Sequence, residues 1–248
     1  MSVDPSEPAW GSGPPPLAWL AAVNRQGLGV RLLATTVHDV NNILQVMSGA
    51  AEVLALDPTP AAVARRTTSI VGQSAAATAV LHNLIAFVRA ESPAHDGARP
   101  LALAQQVLAF RQHAFKKLRL AVAAEGDDVE CAMARHRLQQ VLLNLVVNAE
   151  QALAGRTGGT IHLGVQGGDD VVRIVVADNG PGLPDARQAA AFAWPPVAGD
   201  TAGALGLGLQ VSRGLVAEAG GTLVIGAPPE RTSAMAARIS VSSERFRT

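Results

Sequence analysis

Apolar residues in the first part of the chain recur at alternating steps of three and four positions. This spacing is typical of helices in coiled coils and helix bundles. It predicts one helix over Leu17–Leu56. The positions that follow it most strictly, called the heptad stripe below, are Val30, Leu33, Val37, Val40, Leu44, Met47, Ala51 and Leu54.

The proline-containing segment Asp57–Pro60 ends this pattern, as a turn between helices should. A second helical run follows, with Ile70, Ala77, Leu81, Leu84 and Val88 on a similar spacing. Two long helices joined by a short turn predict an antiparallel helical hairpin. Because two helices bury little surface, we expect the heptad stripe to close against a second copy as a dimeric four-helix bundle.

Strands and helices mix in the remainder of the chain without the regular order of parallel βαβ units. The segments TIHLGVQ and VVRIVVAD are strong strands on either side of a GGDD turn, and Arg135–Ala154 is an amphipathic helix. This part therefore predicts an α+β sandwich. We place a disordered or extended segment at residues 1–16, the helical hairpin at 17–95 and the α+β domain at 96–248.

Composition excludes several classes of partner. The 20 basic and 20 acidic residues balance, so charge does not indicate a nucleic acid as a partner. A single cysteine, Cys131, cannot form an internal disulfide and reads as a small buried hydrophobe. No uninterrupted apolar run reaches the roughly 18 residues that span a bilayer, so we expect a cytoplasmic protein without a membrane span.

The segment VHDVNN within the first helix places polar side chains beside the heptad stripe. His38, Asp39 and Asn42 fall off the stripe toward solvent, and His38 and Asn42 are neighbours on one helix face because they are four residues apart. An exposed imidazole near neutral pH is a usable nucleophile, and a carboxylate beside it can orient it or stabilise its proton. The alternative is a solvated helix face with an incidental histidine, which is also our interpretation of His82, His95, His113, His136 and His162.

Paired asparagines lie on the polar edge of the amphipathic helix. Asn144 and Asn148 are four residues apart, and their amide oxygens can coordinate a hard cation such as Mg²⁺. Taken alone, the pair is better explained by side-chain hydrogen bonds on a helix face.

Two glycine-containing motifs follow. The strand that ends at Asp178 leads into a tight turn with Gly180 and Gly182, where a carboxylate and close backbone approach suit a flat base such as adenine. Gly206 and Gly208 open a helix whose first N–H groups suit phosphates. Each motif alone is also an ordinary turn or helix start.

In this order and spacing, the motifs resemble the N, G1 and G2 boxes of the GHKL superfamily of ATPases, which includes gyrase, Hsp90 and histidine kinases. Together with VHDVNN, the chain from about Arg25 resembles a two-component sensor histidine kinase core. The resemblance implies a homodimer, ATP with Mg²⁺, and a separate response regulator as partner. It further implies His38 as phosphoryl acceptor, Asp39 as its acidic partner, and Asn42 as a residue that orients water for dephosphorylation.

In the nucleotide site, the resemblance implies Asn148 and Asn144 as Mg²⁺ ligands and Asp178 as the residue that reads adenine. Gly180 and Gly182 would shape the adenine pocket, whereas Gly206 and Gly208 would lie at the phosphates.

The chain departs from the family pattern near the phosphates. Phe192 is present in the loop before Gly206, but the polar run that usually follows it is missing, and Glu150 and Gln151 stand where a basic residue often follows Asn148. Two alternatives to an active kinase therefore remain: a non-catalytic histidine phosphotransfer protein with a degenerate ATP site, and a nucleotide-binding scaffold. The kinase interpretation requires an accessible His38 ring and an open pocket beside Asp178.

Overall fold

A computed structural model describes residues 14–56, 58–89, 97–183, 191–192, 205–226 and 235–243. The chain begins with two long helices, α1 over Leu17–Leu56 and α2 over Pro60–Arg89. They form the predicted hairpin, and at Gly29 they approach so closely that a Cβ atom would lie 2.8 Å from Val88 Cγ2. Apart from its last three residues, the predicted extended segment 1–16 lies outside the described residues.

The heptad stripe is not buried in a single chain. Val30 is 70% exposed, and Leu33, Val37 and Leu44 are each about half exposed. On α2, the apolar residues Val71, Leu81, Ile85 and Val88 are exposed as well. The predicted bundle with a second copy accounts for these surfaces, and it stays a prediction because one chain is described.

Helix α2 meets the length and composition of a membrane-spanning helix, with a mean hydropathy of 1.4 in its most apolar window. The sequence-based expectation that no segment is long and apolar enough is therefore wrong for α2. Length and composition do not distinguish a bilayer-spanning helix from a bundle helix, so the absence of a membrane span stays a prediction.

In the described residues of the C-terminal part, short strands alternate with three helices. Its elements in chain order are β1 (Gly97–Ala98), α3 (Pro100–Leu118), β2 (Ala121–Gly126), β3 (Cys131–Ala134), α4 (Arg135–Ala152), β4 (Thr160–Gln166), β5 (Val171–Asp178), α5 (Leu205–Glu218), β6 (Thr222–Gly226) and β7 (Met235–Ser242). Strands β1 and β3 form a small pair, and the main sheet has the order β2-β4-β5-β7-β6. Only the β2–β4 pair of this sheet is parallel.

The core lies between one face of the main sheet and the helices. Ile161, Leu163 and Val165 alternate along β4 as buried residues, and β5 repeats the pattern, because successive side chains of a strand point to opposite faces. The apolar face of helix α4 is buried, as an amphipathic helix requires, and it includes Leu138, Val141, Leu142, Leu145 and Ala149. Cys131 is buried as expected. The α+β fold predicted from the sequence is thus confirmed.

The first half of α1 packs on the C-terminal part rather than extending freely from it. Leu20, Leu28 and Leu32 are buried in the common core, and Leu17 contacts Gly214 of α5. Helix α1 therefore connects the two regions physically, and its residues reach the surroundings of α4.

Candidate functional site

His38 presents its ring on the outer surface of α1. The side chain is 48% exposed, and its Nδ1 atom lies 3.1 Å from Asn42 Nδ2 and 3.7 Å from Asp39 Oδ1. The structure therefore brings the three predicted residues together around one ring nitrogen. The requirement for an accessible imidazole is met.

The two partners of Nδ1 decide which nitrogen is free to react. Asn42 presents its Nδ2 atom to His38 Nδ1, and a flip of the amide would present its oxygen instead. When the oxygen faces the ring, Nδ1 carries the proton and Nε2 keeps its lone pair. The Asp39 carboxylate, 3.7 Å from Nδ1, favours the same tautomer. With the amide turned in this way, Nε2 is the nucleophilic nitrogen.

His113 of α3 lies against His38, which no sequence pattern indicated. The two ring centroids are 3.7 Å apart with an interplanar angle of 37°, and His113 Nδ1 lies 3.9 Å from Asp39 Oδ1. His113 therefore has polar neighbours that the sequence did not indicate, and its interpretation as an incidental histidine stays a prediction. The signal is tertiary, because α1 and α3 meet only when the two halves of the chain pack.

A cavity of about 160 Å³ opens beside the turn that follows β5. Its wall includes Asp178 and Gly182 from the turn, Asn148 from α4 and Leu209 from α5, and most of the other lining residues are apolar. A mostly apolar pocket with a few polar groups is typical of a nucleotide base site. The predicted open pocket beside Asp178 is present.

Asp178 is only 7% exposed, and its Oδ1 atom accepts a hydrogen bond of 2.8 Å from the Gly180 N–H. Burial raises the pKa of the Asp178 carboxyl, and the Gly180 bond offsets part of that rise. The second carboxylate oxygen is then the acceptor available to a ligand in the cavity.

The turn itself requires its glycines. A Cβ atom at Gly180 would lie 2.6 Å from Asp178 Oδ1, and Gly182 has a φ of +72°. Asn179 anchors the turn to the neighbouring strand, since its side chain accepts from the Thr160 N–H at 2.8 Å and donates to the Gly158 carbonyl at 2.9 Å. The turn is therefore held in one shape around the cavity entrance.

Two polar atoms on α4 fit a bound polar ligand. Asn148 Nδ2 and Gln151 Oε1 are buried without a hydrogen-bond partner among the described residues, and both side chains line the cavity. A buried polar atom without a hydrogen-bond partner costs about 1–3 kcal/mol of stability. A ligand that formed hydrogen bonds with these two atoms would recover that free energy on binding. Asn148 is suitably placed to hold Mg²⁺ through its amide oxygen, the ligand type that this ion prefers.

Asn144 differs from Asn148 because its side chain already has hydrogen-bond partners within the protein. It is 3% exposed, and it exchanges two hydrogen bonds with Asn24 of α1, at 3.0 and 2.9 Å. Its amide nitrogen also donates to Ser212 Oγ at 3.2 Å, and Gln140 Nε2 donates to Asn24 Oδ1 at 2.8 Å. Both amide atoms of Asn144 thus have hydrogen-bond partners, although its side chain lines a second cavity together with Asn148. Its assignment to Mg²⁺ stays a prediction that requires α1 to withdraw.

A second cavity of about 220 Å³ lies between α1 and the start of α5. Arg31 lines it from α1, opposite Asn148 and Gly208, and Gly206 belongs to the first turn of α5. Since Asn148 borders both cavities, the second one is the natural continuation of the base site toward phosphates. Arg31 is the cation at this end, and sequence reasoning missed it because it lies on a different helix from the paired asparagines.

Glu150, which stands near the position of an expected basic residue, has a structural partner. Arg111 of α3 donates two hydrogen bonds to its carboxylate, and both side chains are at most 10% exposed. This bidentate ion pair holds α3 against α4. It therefore fixes the position of His113 relative to Asn148 within the C-terminal part.

Comparison with known proteins agrees with this geometry. Residues 133–243 match the family of histidine kinase-, DNA gyrase B-, and HSP90-like ATPases. The sensory histidine kinase/phosphatase NtrB of Salmonella typhimurium is 30% identical over 216 residues, which cover 81% of this chain and 59% of that protein. The C4-dicarboxylate transport sensor protein DctB of Rhizobium meliloti is 33% identical over 108 residues, which cover 43% of this chain and 17% of that protein. The match spans less than two thirds of the length of either relative.

The fold has solved counterparts. The catalytic domain of the histidine kinase ThkA superposes with a TM-score of 0.52 at 24% identity, covering 60% of this chain and 97% of that one. At that identity the likeness establishes the fold, and the ATPase family implies ATP binding. Residues 133–243 thus match the ATPase domain of this family, and the comparisons together support a two-component sensor kinase core.

Proposed function

We propose that this protein transfers the γ-phosphoryl group of Mg-ATP to His38 and then to an aspartate of a separate response regulator. The observation that supports this most directly is the position of His38. Its ring is exposed, both Asp39 and Asn42 face Nδ1, and the same helix lines the cavity beside Asn148.

A different residue would contact each part of the bound Mg-ATP. Asp178 would accept a hydrogen bond from the exocyclic amine of adenine, Asn148 would hold Mg²⁺, and Arg31 would bind the phosphate oxygens. Mg²⁺ supplies neutralisation of phosphate charge when it is bound. Phosphoryl transfer depends mainly on such positioning and charge neutralisation.

At the acceptor, the lone pair of His38 Nε2 forms the new N–P bond while the bond from phosphorus to the ADP oxygen breaks. The proton on Nδ1 becomes more acidic as the ring gains positive character, and Asp39 or water takes it. Asn42 would orient a water molecule when the phosphorylated regulator is hydrolysed, which is the phosphatase reaction that we propose as a second activity.

A displacement must precede transfer. Arg31 and His38 are seven residues apart, which places them on nearly the same face of α1 and about 10 Å apart along its axis. We propose that the ATPase domain moves along α1 by about two helical turns to bring the phosphate end to the imidazole. That movement would also release Asn144 from Asn24.

We further propose that the protein works as a homodimer in the cytoplasm without a membrane span. The exposed heptad stripe and the exposed apolar residues of α2 give a second hairpin an extensive apolar surface to cover. Covering it would bury the exposed apolar residues of α2.

The second candidate function is phosphotransfer between regulators through His38 without ATP turnover. The hydrogen bonds between Asn24 and Asn144 favour it, because they occupy one of the two proposed Mg²⁺ ligands. The unpartnered atoms at Asn148 and Gln151 and the open cavity at Asp178 favour the kinase.

Labelling with γ-³²P ATP and Mg²⁺ tests the proposal. We expect acid-labile label on the wild type and none on His38→Gln or Asn148→Ala. Label that persists on His38→Gln contradicts the acceptor assignment. Nucleotide binding without label supports a scaffold, whereas absent binding with label accepted from a phosphorylated regulator supports the phosphotransfer protein.

A further inference from the structure

His38, Asp39 and His113 form a three-residue cluster at the contact between α1 and α3. One potential ligand atom from each residue lies within 4.8 Å of the other two. The closest approaches are 3.7 Å from Asp39 Oδ1 to His38 Nδ1 and 3.9 Å from the same oxygen to His113 Nδ1. Two imidazoles and one carboxylate thus converge from two separate regions of the chain.

These distances suit a tetrahedral transition-metal ion. Zinc binds histidine nitrogen and carboxylate oxygen at about 2.0–2.2 Å, so its ligand atoms lie roughly 3.3–3.6 Å from one another. The two separations from Asp39 Oδ1 exceed this by a few tenths of an ångström, and the ligand atoms of the two imidazoles lie within 4.8 Å of each other. Binding would therefore require the two rings, whose centroids are 3.7 Å apart, to turn their nitrogens toward one point. The side chains of Asp39 and His113 are 34% and 30% exposed, which leaves them room to adjust. The partly open surface also leaves a fourth position for water.

Two imidazole nitrogens make this cluster a poor site for Mg²⁺, the ion that accompanies ATP. Imidazole nitrogen suits zinc, copper and nickel, whereas Mg²⁺ prefers oxygen ligands throughout. The site would therefore stay distinct from a magnesium site at Asn148. Binding at His38 Nδ1 would require the exposed Asn42 amide, 3.1 Å away, to rotate out of its hydrogen bond.

We propose that His38, Asp39 and His113 bind a divalent transition-metal ion of the zinc class, and that the bound ion blocks phosphorylation of His38. The ion would take the Nδ1 lone pair of His38, so the ring proton would lie on Nε2 and that nitrogen would no longer be a nucleophile. The ion would also join α3 to α1. Because the Arg111–Glu150 ion pair holds α3 against α4, fixing α3 also fixes the nucleotide cavity. The phosphate end beside Arg31 would then remain about two helical turns from His38.

The proposal that these residues bind a metal ion depends only on the geometry of the cluster. The proposal that the ion inhibits phosphorylation also rests on the proposed kinase function. The two parts are therefore measured separately. Full-length protein freed of metal is titrated with Zn²⁺ against a chromophoric zinc indicator, and with Co²⁺ while the visible absorption of a tetrahedral site is recorded. We expect one ion per protomer for the wild type.

His113→Gln and His38→Gln should each lose this ion, whereas His82→Gln should retain it. His82 is a matched control because it is an exposed histidine on α2, outside the cluster. Circular dichroism of each variant confirms that the fold is kept. Stoichiometric zinc binding that is unchanged in His113→Gln would overturn the site, and so would absence of binding by the wild type.

Labelling with γ-³²P ATP and Mg²⁺ then tests the consequence. One equivalent of Zn²⁺ should suppress labelling of the wild type and of His82→Gln by at least about tenfold, whereas His113→Gln should keep in zinc the level that it shows without zinc. Equal suppression in His113→Gln would overturn the block, because zinc would then act elsewhere. If no protein is labelled under any condition, the kinase proposal fails, and the metal titration still decides the site.

Discussion

The helical hairpin and the ATPase domain differ sharply in how they bury apolar side chains. Helix α4 has a continuous buried row that includes Leu138, Leu142 and Val146, none of which is exposed. Helix α2, which is longer, buries only Ala62, Leu84 and Phe87 along its described length. One region closes its core within a single chain, whereas the other leaves its apolar side uncovered.

This difference indicates where we expect the protein to depend on assembly. The ATPase domain closes its core with the first half of α1 from the same chain. The hairpin presents His38 on a helix whose apolar stripe is exposed in one chain. Four changes test this contrast, from the largest expected effect to the smallest.

The first change places charge in the heptad stripe. Val37→Glu combined with Leu44→Glu should abolish dimers at micromolar concentration, because each dimer would bury four unpaired carboxylates. Sedimentation velocity measures the oligomeric state. Gln45→Glu, an exposed polar position on the same helix, is the control and should remain dimeric. A dimeric double variant would contradict the bundle, and both variants should keep their helical content because the sites are exposed in one chain.

The second change breaks the buried ion pair. Glu150→Ala should lower the free energy of unfolding by about 3–5 kcal/mol, since it leaves the Arg111 guanidinium buried without its partner. Urea denaturation measures the loss. Arg99→Ala removes an exposed ion pair to Asp128 of 2.8 Å and should cost less than about 1 kcal/mol. Equal losses in the two variants would show that the effect of breaking the Arg111–Glu150 pair does not come from its burial.

The third change concerns the adenine pocket. In Asp178→Asn the amide oxygen would accept from Gly180 and turn its NH₂ group toward the adenine amine, so we expect ATP affinity to fall by about 30-fold, or ~2 kcal/mol. Isothermal titration calorimetry measures it. Asp170→Asn, at an exposed turn, should bind normally.

The same variant should be more stable than the wild type without nucleotide. Burial raises the pKa of Asp178 in the folded protein, so the folded chain holds this proton more tightly than the unfolded chain. The contribution of Asp178 to stability is therefore fully present below its unfolded pKa, about 3.9, and is lost as pH rises through the raised folded value. Thermal unfolding of Asp178→Asn should exceed that of the wild type at pH 7, and the gap should close as the pH falls.

The fourth change removes the phosphate-side cation. Arg31→Ala should weaken ATP binding about fivefold, or ~1 kcal/mol, and leave adenosine binding unchanged, because only the phosphates would reach the guanidinium. Calorimetry with both ligands separates the two effects. Arg65→Ala on α2 is the matched control, since Arg65 is exposed and remote from the cavity. An equal loss for adenosine would place Arg31 at the base rather than at the phosphates.

Local patterns in the sequence determined the secondary structure and the fold class. The heptad spacing of apolar residues predicted α1 at Leu17–Leu56, and runs rich in β-branched residues predicted β4 and β5 at their observed limits. Both signals are local, because each acts within one element. The turn from Asp178 to Gly182 was also predictable, since its glycines satisfy local steric demands. The same local order of motifs identified the residues around the cavity.

Only the tertiary structure decided which distant side chains meet. His113 against His38, Asn24 against Asn144 and Arg31 beside Asn148 all depend on how α1 packs on the ATPase domain. No periodicity reports such contacts, because periodicity describes which face of an element is apolar and not which polar group of another element will lie opposite. The sequence alone therefore determined the elements and indicated His38, whereas packing determined which residues of other elements lie beside it.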